Sequence, residues 1–129
     1  MVHCFHSGRA VLLLYNIVVF FISNKSEVRL PVVEEQKEWS VYLIKTRLDT
    51  LYTGATTDVE RRFQEHVSGK QKSARYLRGK DPLTLVWQQV VGDKKSALSI
   101  EYKIKQLKRK SKLALISGSI TLETLFSNQ

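Results

Sequence analysis

The sequence predicts an α/β domain of the α+β kind, and three observations carry that expectation. Residues 42–54 hold two strand-like segments around a short polar turn, residues 83–91 read as a further strand, and helical periods follow at 58–67 and 95–109. With 129 residues, 43% hydrophobic and 26% charged, the chain can bury a real core in one domain and is too short for two ordinary ones.

The first strand alternates as a half-buried strand should. Val41, Leu43 and Leu51 are available to a core, while Tyr42, Lys45 and Tyr52 bring polar atoms toward another face. Arg47–Thr50 then reads as a hairpin connection in which Asp49 is the best turn former, and Gly54 closes the second strand. Thr57 followed three residues later by Glu60 matches a capping box, so a helix is expected to begin near Asp58. Its buried stripe would be Val59, Phe63 and Val67, with Arg62 and His66 on a neighbouring stripe and Ser68-Gly69 as the stop.

Between Gly69 and Pro82 the chain is basic and loop-like, with a short helical turn expected at Ser73–Leu77. Lys70, Lys72, Arg75, Arg78 and Lys80 suit phosphate contact and Tyr76 suits packing or stacking; a solvated loop with Tyr76 and Leu77 tucked inward is the plainer alternative. Leu83–Val91 is rich in Leu, Val and Trp and supplies the third strand that a hairpin needs for stability. In the helix expected from Lys95 to Arg109, Ala97, Ile100, Ile104 and Leu107 form one apolar face, and Glu101 is the lone acid among lysines. Ser111 is expected to cap another helix from Lys112 that ends at Gly118, and a last turn is expected around Leu122, Leu125 and Phe126.

The ends differ from this middle. Ala10–Ile22 is an apolar run broken only by the polar atoms of Tyr15 and Asn16, short of the roughly 20 residues a spanning helix requires and without a small-residue cleavage site after it. It reads as an upstream or accessory segment, as an anchor or uncleaved signal, or as a packed accessory element. The expected organisation is an N-terminal extension and linker over 1–35, a folded domain over 36–117 and a tail over 118–129.

Charge and cysteine usage narrow the function classes. Twenty-one Lys plus Arg against twelve Asp plus Glu give +9, and residues 36–116 alone carry +10, which favours a polyanionic partner. Cys4 stands alone, which excludes an intrachain disulfide framework and a Cys-rich zinc site and fits a cytoplasmic setting; membrane association through residues 10–22 is the alternative.

Several residues suit phosphodiester chemistry by type. Arg62 can fork two donors onto phosphate oxygens, and Glu101 offers hard oxygen ligands for Mg²⁺ or Mn²⁺, although a surface ion pair explains Glu101 as well. Tyr52, assisted by Tyr42, can orient or deprotonate a water. His66 is the alternative proton acceptor, because its type titrates nearer neutrality, and a hydrogen-bonding tyrosine in the core is the bland reading. Lys45 reads as a phosphate attractor or as an exposed strand-end charge.

Ser40-Val41-Tyr42 and Tyr52-Thr53-Gly54, followed by Arg62, His66 and Glu101, resemble the signature and downstream functional positions of the GIY-YIG nuclease superfamily. Within it the chain is similar to small single-domain YhbQ-like (UPF0213) proteins, from about Trp39 to Ile116. The resemblance implies a compact GIY-YIG-like domain with a three-stranded antiparallel sheet flanked by helices. It also implies metal-dependent attack on nucleic-acid phosphodiesters, with the two tyrosines, the arginine and the glutamate on the active face. Ser40 replaces the first signature glycine and Thr53 the middle isoleucine, which suggests altered packing or substrate fit. The expected function is a divalent-metal-dependent endonuclease acting on DNA or structured nucleic acid. A nucleic-acid-binding module with weak or no cleavage is the runner-up, and an envelope-associated accessory protein is a third reading resting on residues 10–22.

Overall fold

The computed structural model describes residue 31 and residues 35–127, so the readings made for the apolar run lie outside the described residues. Three strands, β1 Trp39–Lys45, β2 Leu51–Thr56 and β3 Thr84–Gly92, form one antiparallel sheet in the order β2-β1-β3. Among the described residues four α-helices accompany it: α1 Val59–Val67, α2 Lys94–Gln106, α3 Arg109–Ser117 and α4 Leu122–Phe126. The α+β domain with a three-stranded antiparallel sheet is therefore the observed fold.

Because β2 and β3 both pair with β1, the first strand is central, and side chains packed on each side of the sheet bury both its faces. Val41 and Leu43 join Ala97, Ile104, Leu115 and Leu122 in one core. Tyr42 and Ile44 join Val59 and Leu77 in a second. Tyr42 does face away from Val41 and Leu43, as expected, but the face it turns to is a second core, and Tyr42 is 1% exposed.

The β1–β2 turn is closed by Thr46, whose N–H donates to Thr50 O at 2.9 Å. Asp49 supplies the left-handed residue at φ 58°, a conformation that Asp tolerates better than most side chains. Arg109 fixes it from outside, donating Nη1 to Asp49 O and Nη2 to Oδ2, both at 2.6 Å.

Helix α1 starts one residue later than the capping box implied. Thr56 Oγ1 accepts from Asp58 N at 3.2 Å, and Asp58 is the cap, accepting from Arg61 N at 3.0 Å. The inward stripe shifts with it: Val59, Phe63 and His66 turn inward, whereas Val67 is 43% exposed. The short helical turn expected after it is present as a 3₁₀ turn, Arg75–Leu77, with Leu77 buried.

The long helix expected to Arg109 stops at Gln106. Leu107 and Lys108 are extended, and Lys108, not Ser111, occupies the cap position of α3. No proline or glycine marks this break; burial of Leu115 from α3 beside Ile104 from α2 requires the chain to change direction there. Gly118 ends α3 in the left-handed conformation at φ 78°, as expected. The last expected turn is helix α4, which brings Leu122 into the first core. No described helix is long and apolar enough to cross a membrane.

Candidate functional site

The antiparallel register of β1 and β2 sets Tyr42 opposite Gly54. A Cβ at position 54 would stand 2.5 Å from Cζ and 2.9 Å from Cε1 of Tyr42, so the phenol can lie across this strand only because residue 54 has no side chain. The glycine is needed for close approach. Pinned there, the Tyr42 hydroxyl meets His66 Nε2 at 2.9 Å.

His66 comes from the last turn of α1 and is 1% exposed. Its Nδ1 accepts the Ala74 N–H at 3.2 Å, so the neutral ring carries its proton on Nε2 and donates it to the Tyr42 oxygen. Burial, then the neighbouring Arg62 charge, lowers the imidazole pKa to about 4. Both ring nitrogens are engaged and the ring is neutral at pH 7. This geometry argues against the alternative in which His66 accepts the catalytic proton.

Arg62, one turn before His66, donates Nη1 to Glu65 Oε2 at 2.8 Å and to Lys72 O at 2.7 Å. Burial opposes its charge, but the Glu65 bond and the Tyr42 phenol outweigh burial and leave its pKa raised. Tyr42 is in turn raised well above the usual phenol range by burial and then by Tyr52, with Arg62 pulling the other way.

Tyr52 completes an aromatic cluster. Its ring meets His66 edge-on at 5.5 Å and 72°, lies 6.4 Å from Tyr42, and stacks with Tyr76 at 6.1 Å and 21°. Lys80 places Nζ 3.4 Å from the Tyr76 centroid as a cation–π cap. Burial raises the Tyr52 pKa, opposed first by Lys105 and then by Arg62. Glu101 on α2 acts on both motif tyrosines, its negative charge disfavouring either phenolate.

Glu101 is ion-paired with Lys105 one turn further along α2, and its side chain is only 16% exposed. Among the described residues no group of three or more His, Cys, Asp or Glu gathers as a metal cluster. A single seated carboxylate fits a hard ion such as Mg²⁺, which retains several waters and takes further oxygens from substrate phosphates. It does not fit an ion that needs a protein-made cage.

A family model described as the GIY-YIG catalytic domain matches residues 38–114. The chain belongs to the GIY-YIG family. It is 50% identical over 92 residues to UPF0213 protein YhbQ of Escherichia coli O1:K1 / APEC, covering 70% of this chain and 90% of that protein. YhbQ of Escherichia coli K12 is 49% identical over 90 residues, covering 70% of this chain and 88% of the relative. The solution NMR structure of UPF0213 protein BH0048 from Bacillus halodurans has 40% identity and a TM-score of 0.41, covering 62% of this chain and 83% of that one.

In this GIY-YIG domain the two signature halves lie side by side on paired strands, and Tyr42, Tyr52, Arg62 and His66 converge while Glu101 acts on the same phenols. The basic loop is more divided. Lys70, Lys72 and Arg75 are exposed, with Lys70 and Lys72 lining a groove beside Glu65, Ser68 and Gln71. Arg78 instead braces the loop, donating Nη2 to Gln71 O at 3.0 Å and to Ser73 O at 3.3 Å. Lys45 sits 3.7 Å from Asp49 at the hairpin turn, as the strand-end alternative has it.

Sequence reasoning missed three contributors. Glu65 holds Arg62 and also binds Arg61 Nη1 at 2.6 Å. Lys105 pairs with Glu101, and Lys112 donates to Lys105 O at 3.3 Å while its own pKa is lowered by burial. The four-residue spacing of Glu101 and Lys105, and of Arg61 and Glu65, was the available signal.

Proposed function

We propose that this protein is a divalent-metal-dependent endonuclease that hydrolyses phosphodiester bonds in DNA or structured nucleic acid. The observation that carries the reading is the convergence of Tyr42, Tyr52, His66 and Arg62 in one contact network within electrostatic reach of Glu101. A hydrogen-bonding tyrosine in an ordinary core does not call for an arginine and a carboxylate beside it.

Each residue has a task set by its environment. Tyr52 orients the attacking water through its hydroxyl and, as the phenolate, accepts the water's proton; burial disfavours that phenolate and the Lys105 and Arg62 charges favour it. Tyr42 receives the His66 proton in a hydrogen bond, so its own O–H is free to donate toward the water or the phosphate. His66 positions Tyr42. Arg62 uses Nη1 to hold its place, and the remaining donors of the guanidinium stabilise charge that develops on the phosphate oxygens. Glu101 would hold Mg²⁺ or Mn²⁺, which when bound supplies Lewis-acid stabilisation of the reacting phosphate and the leaving oxygen.

The test compares single-turnover cleavage and equilibrium binding for folded wild type and Glu101→Gln on one active substrate. Removing the carboxylate is expected to slow cleavage by about 10²-fold or more, the scale of losing an electrostatic catalytic group. Binding is expected to change by less than about threefold, the scale of losing one surface ion pair. Equal cleavage rates would take Glu101 out of the mechanism, and binding without cleavage by wild type across single strands, duplexes, branches and structured RNA would leave a binding module.

A further inference from the structure

The mechanism uses Lys105 only as a charge near Tyr52, although its ammonium is bonded to the one carboxylate the chemistry needs. The two partners are unequally placed: the Lys105 side chain is 48% exposed and that of Glu101 16%. The carboxylate is seated, and the ammonium, on a flexible stem, is the partner free to leave. Among the charges acting on Tyr52 that of Lys105 is the strongest, so the ammonium stands near the phenol as well as the carboxylate. Lys105 occupies Oε1 of Glu101, so a cation that comes to this carboxylate meets the charge of the ammonium already there.

We propose that Lys105 is a displaceable cation at the Glu101 seat, neutralising the carboxylate before substrate arrives and moving to a phosphate oxygen when nucleic acid docks. This rests on the reading of Glu101 as the metal ligand. A carboxylate already paired with an ammonium presents little net charge to a divalent ion. A docked phosphate gives Lys105 another acceptor and gives the ion further oxygen ligands. Ion binding and nucleic-acid binding then strengthen each other by the same factor. The exchange is inexpensive because an exposed ion pair of this kind contributes little by itself.

The experiment measures Mn²⁺ binding to the full chain by the paramagnetic signal of the free ion, with and without a DNA hairpin carrying phosphorothioate linkages. Wild type is compared with Lys105→Gln, Lys105→Arg and Glu101→Gln, with Lys105→Met as a second neutral variant and circular dichroism to verify folding. Without DNA, the neutral variants are expected to bind Mn²⁺ about three- to fivefold more tightly than wild type, the factor released by losing an exposed competing pair. Lys105→Arg keeps a competing cation and stays near wild type. Adding DNA is expected to tighten Mn²⁺ binding in wild type by more than in Lys105→Gln. Unchanged or weaker binding by both neutral variants overturns the proposal, as does an equal DNA-induced gain in wild type and variant or the absence of Mn²⁺ binding by all of them. Glu101→Gln separates the two readings. If it binds Mn²⁺ as wild type does, the metal assignment falls and the role of Lys105 with it; if it alone loses the ion while Lys105→Gln matches wild type, only the displaceable cation falls.

Discussion

At the scale of single residues, the site depends on polar groups whose partners are fixed. His66 shows this most directly, because its pKa of about 4 in the fold lies below its ordinary 6.5. Between those two values the unfolded chain binds the proton and the folded one does not, so stability is fully present above pH 6.5 and is lost as pH falls toward 4. The expected loss is on the order of 2 kcal/mol. It is read as a fall in urea midpoint between those pH values that His66→Gln does not share. Thr53 is the opposite case. Its Oγ1 is buried with no partner, so Thr53→Val, which keeps the shape, is expected to stabilise by about 1 kcal/mol and raise the melting temperature by roughly 4–8 °C. The motif residues were legible in the sequence through their order and spacing. The burial of Tyr42 was not, because alternation along one strand cannot say what will cover its second face, as Val59 and Leu77 do.

At the scale of elements, the segment from Ser68 to Lys80 is where composition and structure part. Its basic character was plain, yet a count of charges does not reveal which of them are already engaged. Arg78 binds two carbonyls of its own loop, Arg62 reaches in to Lys72 O, and Ser73 Oγ donates to His66 O at 3.2 Å. Neutralising Lys70, Lys72 and Arg75 is therefore expected to reduce the dependence of nucleic-acid affinity on salt by up to about one unit of log–log slope for each phosphate no longer neutralised. Arg78→Ala is expected to leave that slope nearly unchanged while making the loop more sensitive to limited proteolysis, because it removes a brace. Titration of binding against potassium chloride checks the first outcome. Helix existence was equally legible, but the break at Leu107 was not, since it follows from packing of α2 against α3 and has no local signal.

At the scale of the whole molecule, among the described residues both cores are built from positions beyond 38, and Trp39 and Phe126 are the outermost described members in sequence of the first. A chain beginning near Gln36 is expected to unfold cooperatively and to bind nucleic acid, and absence of a cooperative transition in thermal unfolding would show that residues 1–35 contribute to the fold. Removing residues from 118 onward is expected to cost about 2–4 kcal/mol, because Leu122 leaves a cavity in the core and Leu125 and Phe126 withdraw their cover. Thermal unfolding of that shortened chain measures the difference. The ends of the domain were hard to read because a five-residue helix such as α4 has little periodicity of its own and is held by contacts made elsewhere.

The two cores on opposite sides of β1 have a consequence for how such a protein can change over generations. Tyr42, Tyr52 and Phe63 lie with one core, while Leu115, Leu122 and the apolar face of α2 belong to the other. Substitutions that retune thermal tolerance can accumulate behind the sheet without disturbing the aromatic cluster in front of it. Helix α2 is the exception, because it carries Ile104 for the rear core and Glu101, whose charge acts on Tyr52, for the proposed chemistry. Drift toward a hotter or colder setting would therefore be freest in α3 and α4, and any change that rotated α2 would have to answer to both selections at once.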